Sequence, residues 1–314
     1  MPAERTDMDL LDRLPAVRGR MEKDVTLGRF TWFKVGGPAE VLFRPADEDD
    51  LAEFLSACPP DVPLTLIGNA SNMLIRDGGI DGVVIRLGAA FSEIKQDVSL
   101  IHAGAGAADI NVARRARDGG LAGLEFLSGI PGTIGGAVFM NAGAYGSEMA
   151  NVFVSCRAVD RSGDRHELSS DDLAFGYRRS ALDPGWIVTS VTLHGSLAEA
   201  AEITRRLDEI QSDRDASQPV RTPTGGSTFK NPEGDKAWKL IDAAGCRGLR
   251  RGGAVVSEQH CNFLINDADA SAADLEGLGE EVRRRVKAHS GVTLEWEIRR
   301  VGNAGNKAIG EVIS

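Results

Sequence analysis

The sequence predicts a protein of mixed helices and strands divided among several domains, and three observations carry that expectation. Its 314 residues exceed one compact core and suggest about two or three domains of roughly 100–200 residues each. Short alternating apolar runs recur between longer helical patterns, as in mixed α/β proteins, with no internal repeat, low-complexity tract or heptad run. Glycine-rich connections punctuate the middle of the chain.

The elements follow in order. Residues 1–20 are a polar leader. Ala39 to Arg44 alternates as a strand, and Asp47 to Ala57 reads as an acid-capped helix that stops before Pro59-Pro60. Pro63 to Ile67 and Gly82 to Leu87 are short apolar strands around the turn-rich Gly68-Asn69-Ala70-Ser71-Asn72. They close a first α/β unit, 21–88. A second, 89–200, holds strands at Val98–Ala103, Val152–Asp160 and Trp186–Leu193, with a helix from Ala108 to Arg117. The helical pattern Leu197 to Arg214 leads into a third, 201–314, with a Gly/Ser/Pro loop, helices near Ala237–Ala244 and Ala272–Ser290, and a charged strand around Thr293–Val301.

Composition narrows the function. With 36 basic against 46 acidic residues the formal charge is −10, so the electrostatic footprint of a nucleic-acid binder is missing. No run approaches the ~18 apolar residues of a membrane helix, and the charged start has no signal-peptide core, so the expected location is the cytoplasm. The four cysteines and five histidines are scattered without ligand spacing, which predicts neither a disulfide framework nor a metal site. Nothing resembles a coiled coil or a large apolar stripe, and a monomer is expected.

Gly104-Ala105-Gly106-Ala107-Ala108-Asp109 imitates a dinucleotide-binding fingerprint, following a strand and opening a helix. Asp109 replaces the third glycine and no acidic residue ends a following strand, so it is read as a decoy. Two other loops are barer. Gly68 to Asn72, and Gly129-Ile130-Pro131-Gly132 continuing through Gly135-Gly136, would let backbone amides approach a phosphate or a flat ring. Taken singly, each reads more readily as a tight turn, the commonest use of glycine.

Order resolves the matter. Thr31 to Ala39, Gly68 to Asn72, Gly123 to Gly132, Gly135-Gly136-Ala137, Asn141 to Gly146, Tyr177-Arg178, Gly226 to Pro232 and Leu294 to Arg299 follow one another as in the UDP-N-acetylenolpyruvoylglucosamine reductases, which the chain closely resembles from about Thr26 to Val301. The resemblance implies an α+β fold of the vanillyl-alcohol-oxidase type (PCMH-type), in which two subdomains bind FAD non-covalently and a C-terminal α/β domain binds the substrate. The short interval between Arg178 and Trp186 places the chain with the subgroup lacking an extra tyrosine-bearing loop. The implied reaction is NADPH-dependent reduction of UDP-N-acetylglucosamine enolpyruvate to UDP-N-acetylmuramate in peptidoglycan synthesis.

By the same resemblance the catalytic residues are Arg178, Ser227 and Glu297. Hydride addition to the β-carbon builds an enolate on the carboxylate-bearing α-carbon. An arginine suits that carboxylate bidentately, and a serine placed at the α-carbon supplies the proton. Read alone, the Arg178-Arg179 pair is a solvated surface, Ser227 a turn residue, and Glu297 one of two alternating strand glutamates with Glu295. Flavin contacts are expected from Gly68, Asn69, Ala70, Ser71, Asn72, Gly129, Ile130, Pro131, Gly132, Gly135, Gly136 and Arg299. Substrate contacts are expected from Tyr177, Lys230, Asn231 and Asn262, the last equally readable as a satisfied turn asparagine. The rival readings are another FAD oxidase or dehydrogenase of this fold, which should lack the trio, and a non-catalytic binder of UDP-sugar or flavin.

Overall fold

The structure is a computed structural model and describes residues 9–305. Two compact units divide the chain, and each is discontinuous. The first comprises Met1–Val25, Glu40–Gly68 and Gly82–Gln211; the second comprises Thr26–Ala39, Asn69–Asp81 and Ser212–Ser314. The boundaries expected at 88 and 200 are contiguous cuts, whereas the contacts interleave.

The first unit holds two sheets. One orders its strands Arg20–Thr26, Pro38–Arg44, Ile80–Arg86 and Leu64–Ile67, the last two parallel with Leu64 opposite Val83. Asp47 caps the intervening helix Glu48–Ala57 by accepting from the Asp50 amide at 2.9 Å, satisfying one of the donors a helix start leaves unpaired. That helix buries Leu51, Phe54 and Leu55 against Val41, Phe43, Val83 and Ile85. The other sheet runs Arg165–Ser169, Phe153–Val159, Ile187–His194, Leu100–Gly104 and Ile94–Asp97, with every neighbour antiparallel. Phe91, Val159 and Ile187 join the core beneath the first sheet, so apolar packing continues past residue 88.

The antiparallel neighbours of Leu100–Gly104 remove the parallel βαβ unit that a dinucleotide fingerprint needs. Its following helix, Asp109–Asp118, packs Val112, Ala113 and Ala116 into the core instead. One local expectation changes here. The second glycine loop gives way to a helix at Ile134–Met140, because Ile134, Ala137 and Val138 find buried partners that outweigh the helix-weakening Gly135 and Gly136.

The second unit centres on the antiparallel sheet Thr224–Ser227, Phe263–Asn266, Ala254–Val256, Arg250–Arg251. The helix Ala272–Ser290 covers it with Leu275, Leu278, Val282 and Val286. It starts at a Ser271/Asp274 capping box and ends at Gly291, whose φ of 77° suits glycine. Phe33, Val35 and Leu74, from the two early segments, complete this core. The strand expected over 293–301 is confined to Arg299–Val301, which pairs in parallel with Met73–Ile75; upstream, only an isolated bridge joins Phe229 and Trp296.

Candidate active site

In the second unit the sheet itself aims Ser227. Thr224 lies opposite Ile265 and Ser227 opposite Phe263, so three steps on one strand match two on the other and one residue is extra. Such a bulge bends the strand and redirects the side chain that follows. Glycines permit it. A Cβ on Gly225 would stand 2.3 Å from the Phe33 ring, and Gly226 adopts φ +76° with open space where its side chain would be. Beyond Ser227, the Thr228 amide donates to the Asn262 carbonyl at 2.7 Å, and the Thr228 carbonyl accepts from the Glu297 amide at 2.9 Å. Ser227 and Glu297 are thereby held on adjoining stretches of backbone, both half-buried, whereas Glu295 is exposed.

The first flavin-candidate loop reaches the same place. Asn72 Nδ2 donates to the Glu297 carbonyl at 3.2 Å, and the Asn72 carbonyl accepts from the Arg299 amide at 3.1 Å. Arg299 is exposed at the start of its strand. Ala70, within the loop, takes a left-handed φ of 46° although it carries a Cβ. Lys230 donates its amide to the Glu295 carbonyl at 2.9 Å, with its Nζ 3.5 Å from the Glu295 carboxylate.

Asn231 and Asn262 already serve the fold. Asn231 Oδ1 accepts from the Ala237 amide at 3.0 Å, at the start of the helix Ala237–Ala243. Asn262 is buried, its Oδ1 accepting from the Phe229 amide at 3.0 Å and its Nδ2 donating to the Phe229 carbonyl at 2.8 Å. The Asn262 amide thus acts as a strand partner for Phe229, as in the satisfied-asparagine reading of this residue.

Arg178 belongs to the first unit and sits at the tip of a tight turn. Gly176 and Arg179 exchange backbone hydrogen bonds of 3.0 and 3.1 Å, and Arg178 between them has φ 56°. A left-handed non-glycine residue costs of order 1–3 kcal/mol and persists where its surroundings fix it. The guanidinium lies 5.3 Å from the centroid of the Tyr177 ring, which is 55% exposed. A planar cation displayed on a strained turn is suited to gripping a carboxylate.

The second glycine loop belongs to the same unit, and its bare positions are used. A Cβ on Gly129 would lie 2.6 Å from the Tyr145 ring, one on Gly132 2.7 Å from the Asp109 carboxyl, and one on Gly135 2.9 Å from the Ala105 methyl. A Cβ on Gly68 would stand 2.6 Å from Thr133 Oγ1. The loop is also stitched down: the amides of Asp109, Ile134 and Gly135 donate to the carbonyls of Gly132, Ala107 and Ala105 at 3.3, 3.0 and 2.9 Å. Glycine therefore presses the backbone onto its support and leaves a surface without side-chain bulk. Asp109 beneath it is fully buried, and burial pushes its carboxyl well above the ordinary range. These features fit a flavin dinucleotide. Asp109 and Asn141, which support the loop and the Arg178 turn, were not singled out as site residues from sequence; the broken fingerprint at Asp109 and the Asn141-Ala142-Gly143 motif were the available signals.

Residues 218–301 match the family profile for the C-terminal domain of UDP-N-acetylenolpyruvoylglucosamine reductase, and residues 39–169 match that of an FAD binding domain. The UDP-N-acetylenolpyruvoylglucosamine reductase of Paramagnetospirillum magneticum is 59% identical over 298 residues, covering 95% of this chain and 97% of its own. The crystal structure of the UDP-N-acetylenolpyruvylglucosamine reductase (MurB) of Thermus caldophilus superposes with a TM-score of 0.78 at 36% identity, covering 91% of this chain and 99% of that one. A 6-hydroxy-D-nicotine oxidase of Arthrobacter nicotinovorans shares the fold alone, with a TM-score of 0.55 at 13% identity over 90% of this chain and 89% of its own. An FAD-binding unit, a bulge-aimed serine beside a glutamate and close relatives along nearly the whole length lead to one assignment: the chain belongs to the UDP-N-acetylenolpyruvoylglucosamine reductase family, the FAD-dependent oxidoreductases of peptidoglycan synthesis.

Proposed function

We propose that Arg178, Ser227 and Glu297 divide the work of saturating the enolpyruvyl double bond of UDP-N-acetylglucosamine enolpyruvate, giving UDP-N-acetylmuramate, with NADPH as hydride source. The observation that carries this reading is the bulge at Gly225–Gly226, which sets Ser227 beside the backbone of Glu297. The chemistry FAD supplies when bound is a two-electron relay between nicotinamide and enol ether. Gly68 to Asn72, Gly129 to Gly132, Gly135, Gly136 and Arg299 are the residues that would hold it.

Hydride at the β-carbon and a proton at the α-carbon together saturate the double bond. Between those events charge collects on the α-carbon and its carboxylate, where Arg178 binds it through two parallel hydrogen bonds. Ser227 Oγ gives the proton to the α-carbon, a task that asks for position more than acidity. Glu297 assists in its neutral form or through a bridging water, since an ionised carboxylate would repel the enolate. Tyr177, Lys230 and the amide NH2 of Asn231 meet the UDP-sugar, while Asn262 holds the strand beyond Ser227. The FAD-binding subdomains of this reading are 21–88 and 89–200, with Phe91, Val159 and Ile187 of the latter joining the core beneath the first sheet, and the protein works as a cytoplasmic monomer.

Anaerobic stopped-flow absorbance tests the assignment. NADPH should bleach the flavin band near about 450 nm, and UDP-N-acetylglucosamine enolpyruvate should restore it. In Ser227→Ala the bleaching should proceed at the wild-type rate while recovery slows by about 10²-fold or more. Recovery at the wild-type rate would remove Ser227 as the proton donor; bleaching without recovery in the wild-type protein would remove the substrate.

A further inference from the structure

Asn141 ends the helix Ile134–Met140 in a left-handed conformation, φ 42°, with its side chain wholly buried. Asn141 Nδ2 donates to the Gly176 carbonyl at 3.1 Å, and Oδ1 accepts from the Ala150 amide at 3.0 Å. Gly176 is the fixed end of the turn whose tip is Tyr177–Arg178, because it exchanges both backbone hydrogen bonds with Arg179. A second tie lies alongside. Ser180 Oγ donates to the Phe139 carbonyl at 2.9 Å, satisfying one of the acceptors a helix end leaves open. The turn is therefore tied to the end of this helix from both sides, and the helix start continues the bare glycine loop.

The residue type is demanding. Asparagine tolerates left-handed backbone and carries both a donor and an acceptor on one short side chain. Aspartate would lose the donor to Gly176, and glycine would keep the backbone while losing both bonds. A strained arginine at a turn tip needs such outside fixing, because a carboxylate gripped at two points responds to displacements of about 1 Å with rate losses of about 10²-fold.

We infer that Asn141 is a positioning residue for Arg178: acting through Gly176, it holds the turn so that the guanidinium meets the substrate carboxylate in the reacting geometry. The inference rests on the role given to Arg178 above.

The test compares half-reactions in Asn141→Gly, Asn141→Asp, Arg178→Ala and the double variant Asn141→Gly/Arg178→Ala, each purified with FAD. For Asn141→Gly, FAD content and the rate of bleaching by NADPH should stay within about twofold of wild type, while recovery on adding the UDP-sugar should slow about 10–100-fold. Asn141→Asp, matched in size, should share that pattern. In the double variant, Asn141→Gly should add nothing to the loss already caused by Arg178→Ala, the signature of one residue acting through the other. Multiplying losses, or a joint fall of FAD content and both half-reactions, would overturn the inference. So would slow recovery in Arg178→Ala with wild-type recovery in Asn141→Gly. Wild-type recovery in Arg178→Ala would instead overturn the reading of Arg178 itself, a separate and recognisable result.

Discussion

Asp109 shows how one buried group can set a property of the whole protein. Burial holds its folded-state carboxyl well above the ordinary value of 3.8. From about pH 4 upward the unfolded chain therefore releases a proton that the folded chain keeps, and stability falls as pH rises until the folded carboxyl also ionises. The slope from one such group reaches about 1.4 kcal/mol per pH unit. Asp109→Asn should flatten this decline and raise the melting temperature at neutral pH relative to wild type; thermal unfolding across a pH series checks it, and an unchanged slope would refute it. At this scale the sequence was partly legible. Ser227, Arg178 and Glu297 stood out through motif order, and Asp109 only as a misfit in a glycine fingerprint. The role of Asn141 was out of reach, since its partners Gly176 and Ala150 are set by a turn and a loop that no periodicity announces.

Among the elements, those with local punctuation were the readable ones. The helix Ala272–Ser290 matched its expected ends, because Ser271 and Asp274 mark its start and Gly291 its stop. The helix Ile134–Met140 was hidden behind Gly132, Gly135 and Gly136, which argue locally against helix and are overruled by packing. The bulge in Thr224–Ser227 was equally hidden: a glycine pair reads as a loop until the opposite strand, Phe263–Asn266, is known. That bulge carries a prediction of its own. At Gly226 an added methyl meets no neighbour within 4 Å, so Gly226→Ala should cost about 1 kcal/mol through its positive φ alone. Chemical denaturation should report that modest loss. Recovery of the flavin band should suffer far more, since relaxation of the bulge re-aims Ser227; a variant with wild-type recovery would separate the bulge from proton delivery.

For the molecule as a whole, mixed composition and the order of motifs conveyed the fold, while the interleaving of the two units lay outside a linear reading. Contiguous segments are what periodicity can delimit; that Phe33, Val35 and Leu74 complete a core otherwise built from residues beyond 212 is a fact of long-range packing. A fragment spanning 212–314 should accordingly fail to fold cooperatively, lacking those side chains and the Met73–Ile75 partner of Arg299–Val301. Circular dichroism melting and amide chemical-shift dispersion would show it, and a sharp melting transition would refute it. The same interleaving has a consequence during synthesis. The segments 26–39 and 69–81 leave the ribosome early, yet the strand that pairs with Met73–Ile75 ends only at Val301. At about 5–20 residues per second they wait roughly 10–50 s for it. Through that interval Phe33 and Leu74 have no finished core to enter, so the order of translation, as well as the finished fold, governs how long these apolar side chains stand open to chaperones and to aggregation.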